Sequence, residues 1–426
     1  MAKLPKIPHF RWWIAGLLAL ASAINYLDRQ NLPVVITELR KSIPVTDIQY
    51  SHIQFLFLLA YGLMYAVGGK IMDVLGTRLG YVITITWWSI ANMLQGLVSS
   101  VAGLGIARFL LGAGEGGGFP ASAKAVSEWV PAKERSLAFG IFNTGSSVGA
   151  VIAPPLIAYI VLTLNWRWVF IITGAFGLIW AVLWLWLYSH PSKNKYITEE
   201  EKQYIEASRI QAVTVSIRWL DLFKYRKIIG LLMMKILSDA AWYFFIFWLP
   251  KYLADVRGLN IKEIGYYAWI PYAFAGGGSM IGGWLSSFLM RKKLSLDMSR
   301  KICLFIPAAI MPASLFISNA PLSLAIVFFS MAMFAHQFWS TIVQTLPTDI
   351  CDSSIVGSVA GLMGAVGSFG GMLFSLLAGY LITKYGYAPV FIIAGIMHPL
   401  SFIMLLSIVR KIEVIGTTSD GNYEKY

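Results

Sequence analysis

The sequence predicts an all-α polytopic membrane protein of about twelve transmembrane helices in two pseudo-symmetric six-helix bundles. Composition is the first reason: 57% of the 426 residues are hydrophobic and only 13% are charged, with a mean hydropathy of +0.66, which leaves too little polar surface for a globular domain in water. Apolar runs long enough to cross a bilayer as helices recur along the whole chain. The halves also echo one another, since the second run ends in Gly68-Gly69 and the eighth in Gly282-Gly283.

Taken in order, the first-half runs are Trp12 to Ile36, Ile53 to Met72, Tyr81 to Val101, Leu104 to Val130, Leu137 to Leu162 and Trp168 to Tyr188. Those of the second half are Ile228 to Leu253, Tyr266 to Met290, Ile302 to Ile317, Leu322 to Val343, Val356 to Ile382 and Pro389 to Val409. Lys3 and Lys6 precede the first run, but no small-residue cleavage site follows it, so it reads as a retained span. The domains follow as residues 1–190, a polar linker over 191–225, a second bundle over 226–412 and a disordered tail over 413–426. Within the linker, Thr198 and Glu201 form a capping-box start for a short helix running towards Arg209, whose charges read as solvated.

A net charge of +13 invites a nucleic-acid reading, yet the basic residues sit in short loops on alternate sides of the spans. Lys3, Lys6, Arg11, Arg78, Lys133, Arg135, the group from Lys193 to Lys227, Arg291 to Lys293, Arg300, Lys301, Arg410 and Lys411 fall on one side. The positive-inside bias makes that side, and both termini, cytoplasmic. Cys303 lies in a span and Cys351 in a loop, with no spacing that suggests a disulfide or a metal. The three glycines of Gly112-Ala113-Gly114-Glu115-Gly116-Gly117 imitate a dinucleotide loop, but no strand precedes them and they lie inside a span. With no nucleophile, metal or cofactor constellation, the chain does not read as an enzyme.

Charges inside the spans carry the functional signal. Asp28 and Arg29, within Asn25-Tyr26-Leu27-Asp28-Arg29, interrupt the first run, and ionisable groups at membrane depth cost at least about 2.5 to 3.5 kcal/mol each. Such groups mark a substrate or ion pathway, or else a structural ion pair that locks two helices. Arg108 and Glu115 stand seven residues apart in the fourth run, on nearly one face and about 10 Å apart along the axis. Their depth brackets that of Asp28 and Arg29, so the four can form one cluster. In a functional cluster Arg29 meets an anion while Asp28 and Glu115 exchange protons; in a structural one the four neutralise each other.

Other candidates have two readings each. Lys235 and Asp239 are four apart in the seventh run, as a coupling element or as a snorkelling lysine with its counter-ion. His336 and Gln337 offer donors for sugar hydroxyls or pack structurally. Tyr61 with Tyr65, and Trp242 with Tyr243, can stack on a sugar ring or simply pack. Lys124 and Glu128 read as snorkelling side chains near a helix end. Glycines cluster at Gly112 to Gly118, at Gly145 and Gly149 ahead of Pro154-Pro155, and from Gly357 to Gly371, where helices slide or pack tightly.

The stretch Gly69-Lys70-Ile71-Met72-Asp73-Val74-Leu75-Gly76-Thr77-Arg78 resembles the loop signature of the major facilitator superfamily between its second and third helices. Val74 and Leu79 replace basic positions of that pattern, and Ser287 stands in the second-half copy where an acid is often found. The resemblance implies a cytoplasmic gate at Asp73, Gly76 and Arg78, with Asp73 capping a helix or pairing with a base across the halves.

Asn25 to Arg29, Arg108 to Glu115 and Phe119-Pro120 are similar to the anion:cation symporter family of that superfamily. Glu128 to Ser136, Phe142 to Gly149 and Phe334 to Gln337 resemble its bacterial hexuronate transporters. The likeness implies import of glucuronate or galacturonate with protons across the bacterial inner membrane by a cofactor-free monomer in the lipid bilayer. Carboxylate binding would fall to Arg29, protonation to Asp28 and Glu115, and support to Arg108. Tyr26, Tyr61, Tyr65, Asn143, Ser146, Ser147, Trp242, Tyr243, His336 and Gln337 would complete the substrate set, with Lys235 and Asp239 as a second pair. Some hexuronate transporters lack the acid beside the first-span arginine, so Asp28 keeps galactonate, glucarate and related acids open as substrates; separately, the sequence does not choose between protons and sodium as the coupling ion. A sugar-acid sensor and an exporter on the same scaffold are the rival classes.

Overall fold

The computed structural model describes residues 6–131, 134–207, 222–351 and 356–413. Among them helices dominate, and the one extended pairing is an isolated bridge between Ile7 and Ile197. The tail expected to be disordered, from residue 414, and the linker helix beyond residue 207 lie outside the described residues. Two compact units form, one of Met1–Pro44 and Leu59–Gln211, the other of Val45–Leu58 and Ala212–Tyr426.

The first unit is built from α1 (Phe10–Arg40), the later part of α2 (Asp47–Leu75), α3 (Thr77–Gln95), α4 (Val101–Glu115), α5 (Gly118–Trp129), α6 (Arg135–Thr163), α7 (Trp166–Leu187) and α8 (Glu199–Ala207). Polar caps start the helices where the sequence turns: Ser100 Oγ accepts the Gly103 N–H ahead of α4, and Asn165 accepts the Arg167 N–H ahead of α7. The expected span from Leu104 to Val130 is two helices rather than one. Its break falls at Gly116-Gly117, where a Cβ on Gly116 would collide with the Tyr61 carbonyl and one on Gly117 with Thr84. Along α6, Gly145 and Gly149 lie against the carbonyls of Ala19 and Ala23 on α1, so that the two backbones approach as only small residues allow.

The second unit contains α9 (Arg226–Asp255), α10 (Ile261–Tyr267), α11 (Trp269–Arg291), α12 (Leu296–Ile310), α13 (Leu322–Val343), α14 (Leu346–Ile350), α15 (Val356–Tyr385) and α16 (Ala388–Met404). Asn260 and Glu263 close a reciprocal capping box ahead of α10. Glycines again set the closest crossings: Gly278 of α11 abuts the Phe334 carbonyl, and Gly367, Gly370 and Gly371 of α15 abut Asp239, Ile236 and Tyr243 of α9. Nine helical segments among the described residues are long and apolar enough to cross a membrane. The remaining expected spans are α3, the α4–α5 pair and α11. Asn92, Gln95 and the tryptophans dilute α3, the glycine break divides α4 from α5, and glycines, serines and aromatic residues dilute α11.

The linker helix departs from its expected solvated role. The Glu201 backbone N–H donates to Thr198 Oγ1 as the sequence suggests, but the Glu201 carboxylate is buried and turned to another partner. It accepts the Phe10 N–H at 2.8 Å and the Arg11 N–H at 3.2 Å, and pairs with the Arg11 guanidinium, which also binds Glu134 at 2.8 Å. The first N–H groups of α1 have no partner within their own helix, and a carboxylate there answers both the orphan donors and the helix dipole. Phe10 adds ring contacts with Trp129 and Tyr196 at 5.6 and 5.5 Å.

Two alanine substitutions on α6 separate close packing from helix propensity. Gly149→Ala places a methyl against the α1 backbone and should destabilise by about 1–3 kcal/mol. Gly140→Ala, with nothing within 4 Å of its added carbon, should be neutral or stabilise by up to about 1 kcal/mol. Melting curves of the detergent-purified variants give both values, and equal shifts would refute the close approach of α1 and α6.

Candidate functional site

In the middle of α1, Arg29 turns into the first unit with 3% of its side chain exposed and meets Glu115, whose side chain is fully buried, at 2.9 Å. Arg29 Nε and Nη2 both donate to one oxygen, Oε2, at 3.1 and 2.9 Å. Nη2 also donates to Asn25 Oδ1 at 3.2 Å, and the guanidinium lies over the rings of Tyr26 and Tyr61, 4.9 and 4.8 Å from their centroids. Arg108, fully buried on α4, donates through Nη2 to the backbone carbonyl of Arg29 at 2.9 Å. Glu115 is the last residue of α4, at the negative end of the helix dipole, where a carboxylate is unfavourable unless cations offset it. Arg29 and Arg108 supply that offset.

Asp28 joins the same cluster through charge, without a direct ion pair among the described residues. Its carboxyl is fully buried within electrostatic reach of Glu115 and Arg108, and its Oδ1 accepts a hydrogen bond from Asn92 Nδ2 at 2.8 Å. Sequence reasoning missed the buried amides and hydroxyl around it, Asn31, Asn92, Gln95 and Thr173, although each stands out as a polar residue in an apolar helix. Tyr65 lies farther out, 6.0 Å from the Tyr61 ring and stacked on Phe119 at 5.5 Å. On α6, Asn143 is exposed while Ser146 and Ser147 are half-buried, and Ser146 Oγ donates to the Asn143 carbonyl at 2.7 Å.

The loop expected to act as a gate is tied down within the first unit. Asp73 pairs with Lys124 at 2.7 Å, and Lys124 Nζ also donates to the Met72 carbonyl at 2.8 Å. Gly76 turns the chain with a φ of 74°, α3 starts without a side-chain cap, and Arg78 donates to the Leu185 carbonyl. Glu128 accepts from Thr77 at 2.6 Å and from Tyr188 at 2.5 Å. Lys124 and Glu128 are therefore partners of the loop, not the snorkelling side chains their position suggested. The Glu128 contacts are partly buried, whereas the Asp73–Lys124 pair lies at an exposed carboxylate.

In the second unit Lys235 and Asp239 pair at 2.9 Å, each side chain 11% exposed, and the absence of a side chain on Gly367 makes room for the carboxylate. His336 is buried and stacked on Trp242 at 4.6 Å, and its Nδ1 lies 3.2 Å from Nε2 of His398, a residue not anticipated from the sequence. One face of Trp242 is thus covered by an imidazole. Tyr243 stacks on Phe247 at 5.8 Å, and the carbonyl of half-buried Gln337 accepts from Thr341 at 2.8 Å.

The Major Facilitator Superfamily model matches residues 18–375. A hexuronate transporter of Escherichia coli (strain K12) is 34% identical over 413 residues, which is 95% of either chain. A galacturonate transporter of Dickeya chrysanthemi is 35% identical over 72% of this chain and 90% of its own. Among solved structures, the xylose transporter XylE from E. coli is similar with a TM-score of 0.71 over 97% of this chain and 100% of its own, a likeness of fold at 14% identity. The helical architecture and the match over residues 18–375 agree: the chain belongs to the Major Facilitator Superfamily, a family of membrane transporters and not of enzymes.

Proposed function

We propose that the protein imports hexuronates, glucuronate and galacturonate foremost, together with protons by alternating access. It works as a monomer in the bacterial inner membrane with both termini in the cytoplasm. The observation that carries this reading is the buried Arg29 fork, held at rest by a single carboxylate oxygen of Glu115. A guanidinium presents paired donors that match both oxygens of a carboxylate, so a sugar acid can take the place of Glu115 with a better geometry than Glu115 itself has. The relatives named for hexuronate and galacturonate transport supply the substrate class.

Charge neutrality gives the coupling. Arg29 and Arg108 balance Asp28 and Glu115 when both acids are ionised, so an arriving sugar-acid anion leaves the buried cluster one charge negative. One cation restores balance, and the carboxyls of Asp28 and Glu115 are where a proton binds. A proton on Glu115 weakens its hold on Arg29 and so favours the anion, which makes binding fall as pH rises. The gate residues Asp73, Gly76 and Arg78 act on the cytoplasmic face in this reading, and Lys235 with Asp239 forms a second polar site in the other unit.

Three experiments test this. In proteoliposomes an acid-outside gradient should drive labelled glucuronate uptake that a protonophore abolishes, and accumulation driven by a sodium gradient alone would transfer the coupling to sodium. Arg29→Lys keeps the charge and loses the fork; glucuronate affinity by calorimetry should fall roughly 10- to 100-fold with melting temperature retained, the worth of about 1.5–3 kcal/mol for hydrogen bonds to a charged group. Glu115→Gln should keep glucuronate counterflow while losing proton-driven accumulation, and unchanged accumulation would remove Glu115 from the coupling step.

A further inference from the structure

Behind Asp28 lies a polar network that the proposed transport cycle leaves without a task. Asn92 of α3 is its centre: Nδ2 lies 2.8 Å from Asp28 Oδ1, 2.8 Å from Thr173 Oγ1 and 3.1 Å from the Phe170 carbonyl. Its Oδ1 accepts from Asn31 Nδ2 at 3.3 Å and from Gln95 Nε2 at 3.2 Å. Asn31 Nδ2 donates in addition to Thr173 Oγ1 at 2.7 Å. Asn31, Asn92, Gln95, Thr173 and Asp28 are all fully buried.

The orientation of the Asn92 amide follows from its neighbours. A backbone carbonyl and an ionised carboxyl accept hydrogen bonds only, so the NH2 end must face Phe170 and Asp28. The amide donors of Asn31 and Gln95 then fix the opposite end. Turning the group over would place donor against donor and acceptor against acceptor on both sides, a cost that a buried site cannot pass to water. Asp28 Oδ1 is therefore engaged, while Oδ2 has no hydrogen-bond partner among the described residues.

We propose that Asn92 is a positioning residue for the proton step, holding the Asp28 carboxyl by Oδ1 so that the proton is taken up and released at Oδ2. The proposal rests on the reading of Asp28 as a proton carrier. An arginine in the place of Asn92 would hold Asp28 ionised; a neutral amide supports the carboxylate and still permits the acid. The charged groups that face Asp28 are Glu115 and Arg108 from α4 and Arg29 from its own helix, whereas α3 and α7 offer it only amides and a hydroxyl. On the neighbouring α5, Lys124 and Glu128 are committed to Asp73, Thr77 and Tyr188, and Arg135 at the start of α6 bonds the Val130 and Ser127 carbonyls.

The test is an infrared pH titration of the full-length protein in proteoliposomes without substrate, following the carboxyl band that disappears in Asp28→Asn. Asn92→Leu removes the donor at similar volume, and the midpoint should move alkaline by about one pH unit, the worth of one hydrogen bond to a charged group. Thr173→Val preserves the shape and removes the hydroxyl that fixes the Asn31 and Asn92 amides, so the Asn92 donor is held less firmly on Asp28 and the midpoint should move in the same direction by less. If Asn92→Leu does not fold, Thr173→Val alone decides. A wild-type midpoint in every folded variant, or a band that does not titrate in the wild type, overturns the proposal. Glucuronate counterflow is measured on the same samples: its absence in the wild type would sink the transport reading, while the infrared midpoints still decide the role of Asn92.

Discussion

Keeping a guanidinium away from water is the constraint on which the first unit is built. Breaking a buried ion pair by removing one partner costs about 3–5 kcal/mol, so Arg29 requires its surroundings to be complete. Glu115 supplies the opposite charge, the rings of Tyr26 and Tyr61 offer their electron-rich faces, and Asn25 takes a further donor from the same helix. Arg108 ties itself to the backbone of Arg29, so the second cation stabilises the carboxylates without competing for the same oxygen. These groups come from α1, α2 and α4, and their common demand fixes how the three helices meet.

That demand explains where the glycines fall. Glu115 reaches Arg29 from the last residue of α4, and the Gly116-Gly117 pair that follows passes the Tyr61 carbonyl and Thr84 too closely for any side chain. Gly114 opens the same helix to Trp88 of α3, the helix that carries Asn92. Helix association in a bilayer has little hydrophobic driving force, so close backbone contact and buried polar bonds must supply it. The glycine break and the ion pair thus belong to one piece of packing.

Much of this was legible in the chain, for reasons that differ by residue. Asp28, Arg29, Arg108 and Glu115 stand out because a charge in an apolar run is costly enough to need a cause. Asn92, Thr173 and His398 did not, since single neutral polar residues are tolerated in spans and their partners lie on other helices. Lys124 and Glu128 were misread because snorkelling is an adequate account of any long charged side chain near a helix end, and only the fold reveals Asp73, Thr77 and Tyr188 beside them. The caps Ser100 and Asn165 place the starts of α4 and α7 at Val101 and Trp166, ahead of the apolar runs that began at Leu104 and Trp168, and the division of one run into α4 and α5 was not visible in its hydrophobicity. Glu201 was hidden by its own local pattern: a capping box looks complete within four residues, and nothing in it points to a partner far upstream.

That partner gives the first unit an order of assembly. The carboxylate that completes the start of α1 lies 191 residues after the Phe10 amide it receives, so α1 leaves the ribosome long before its opening turn can be finished. Until α8 has been synthesised, Arg11 lacks one of its two acids and the leading N–H groups lack their acceptor. A chain interrupted before Glu201 leaves the start of α1 unfinished, and the arrival of α8 closes that contact across the first unit. Contacts so distant in sequence form late, which makes this cap a seal on a completed bundle and not a seed for it.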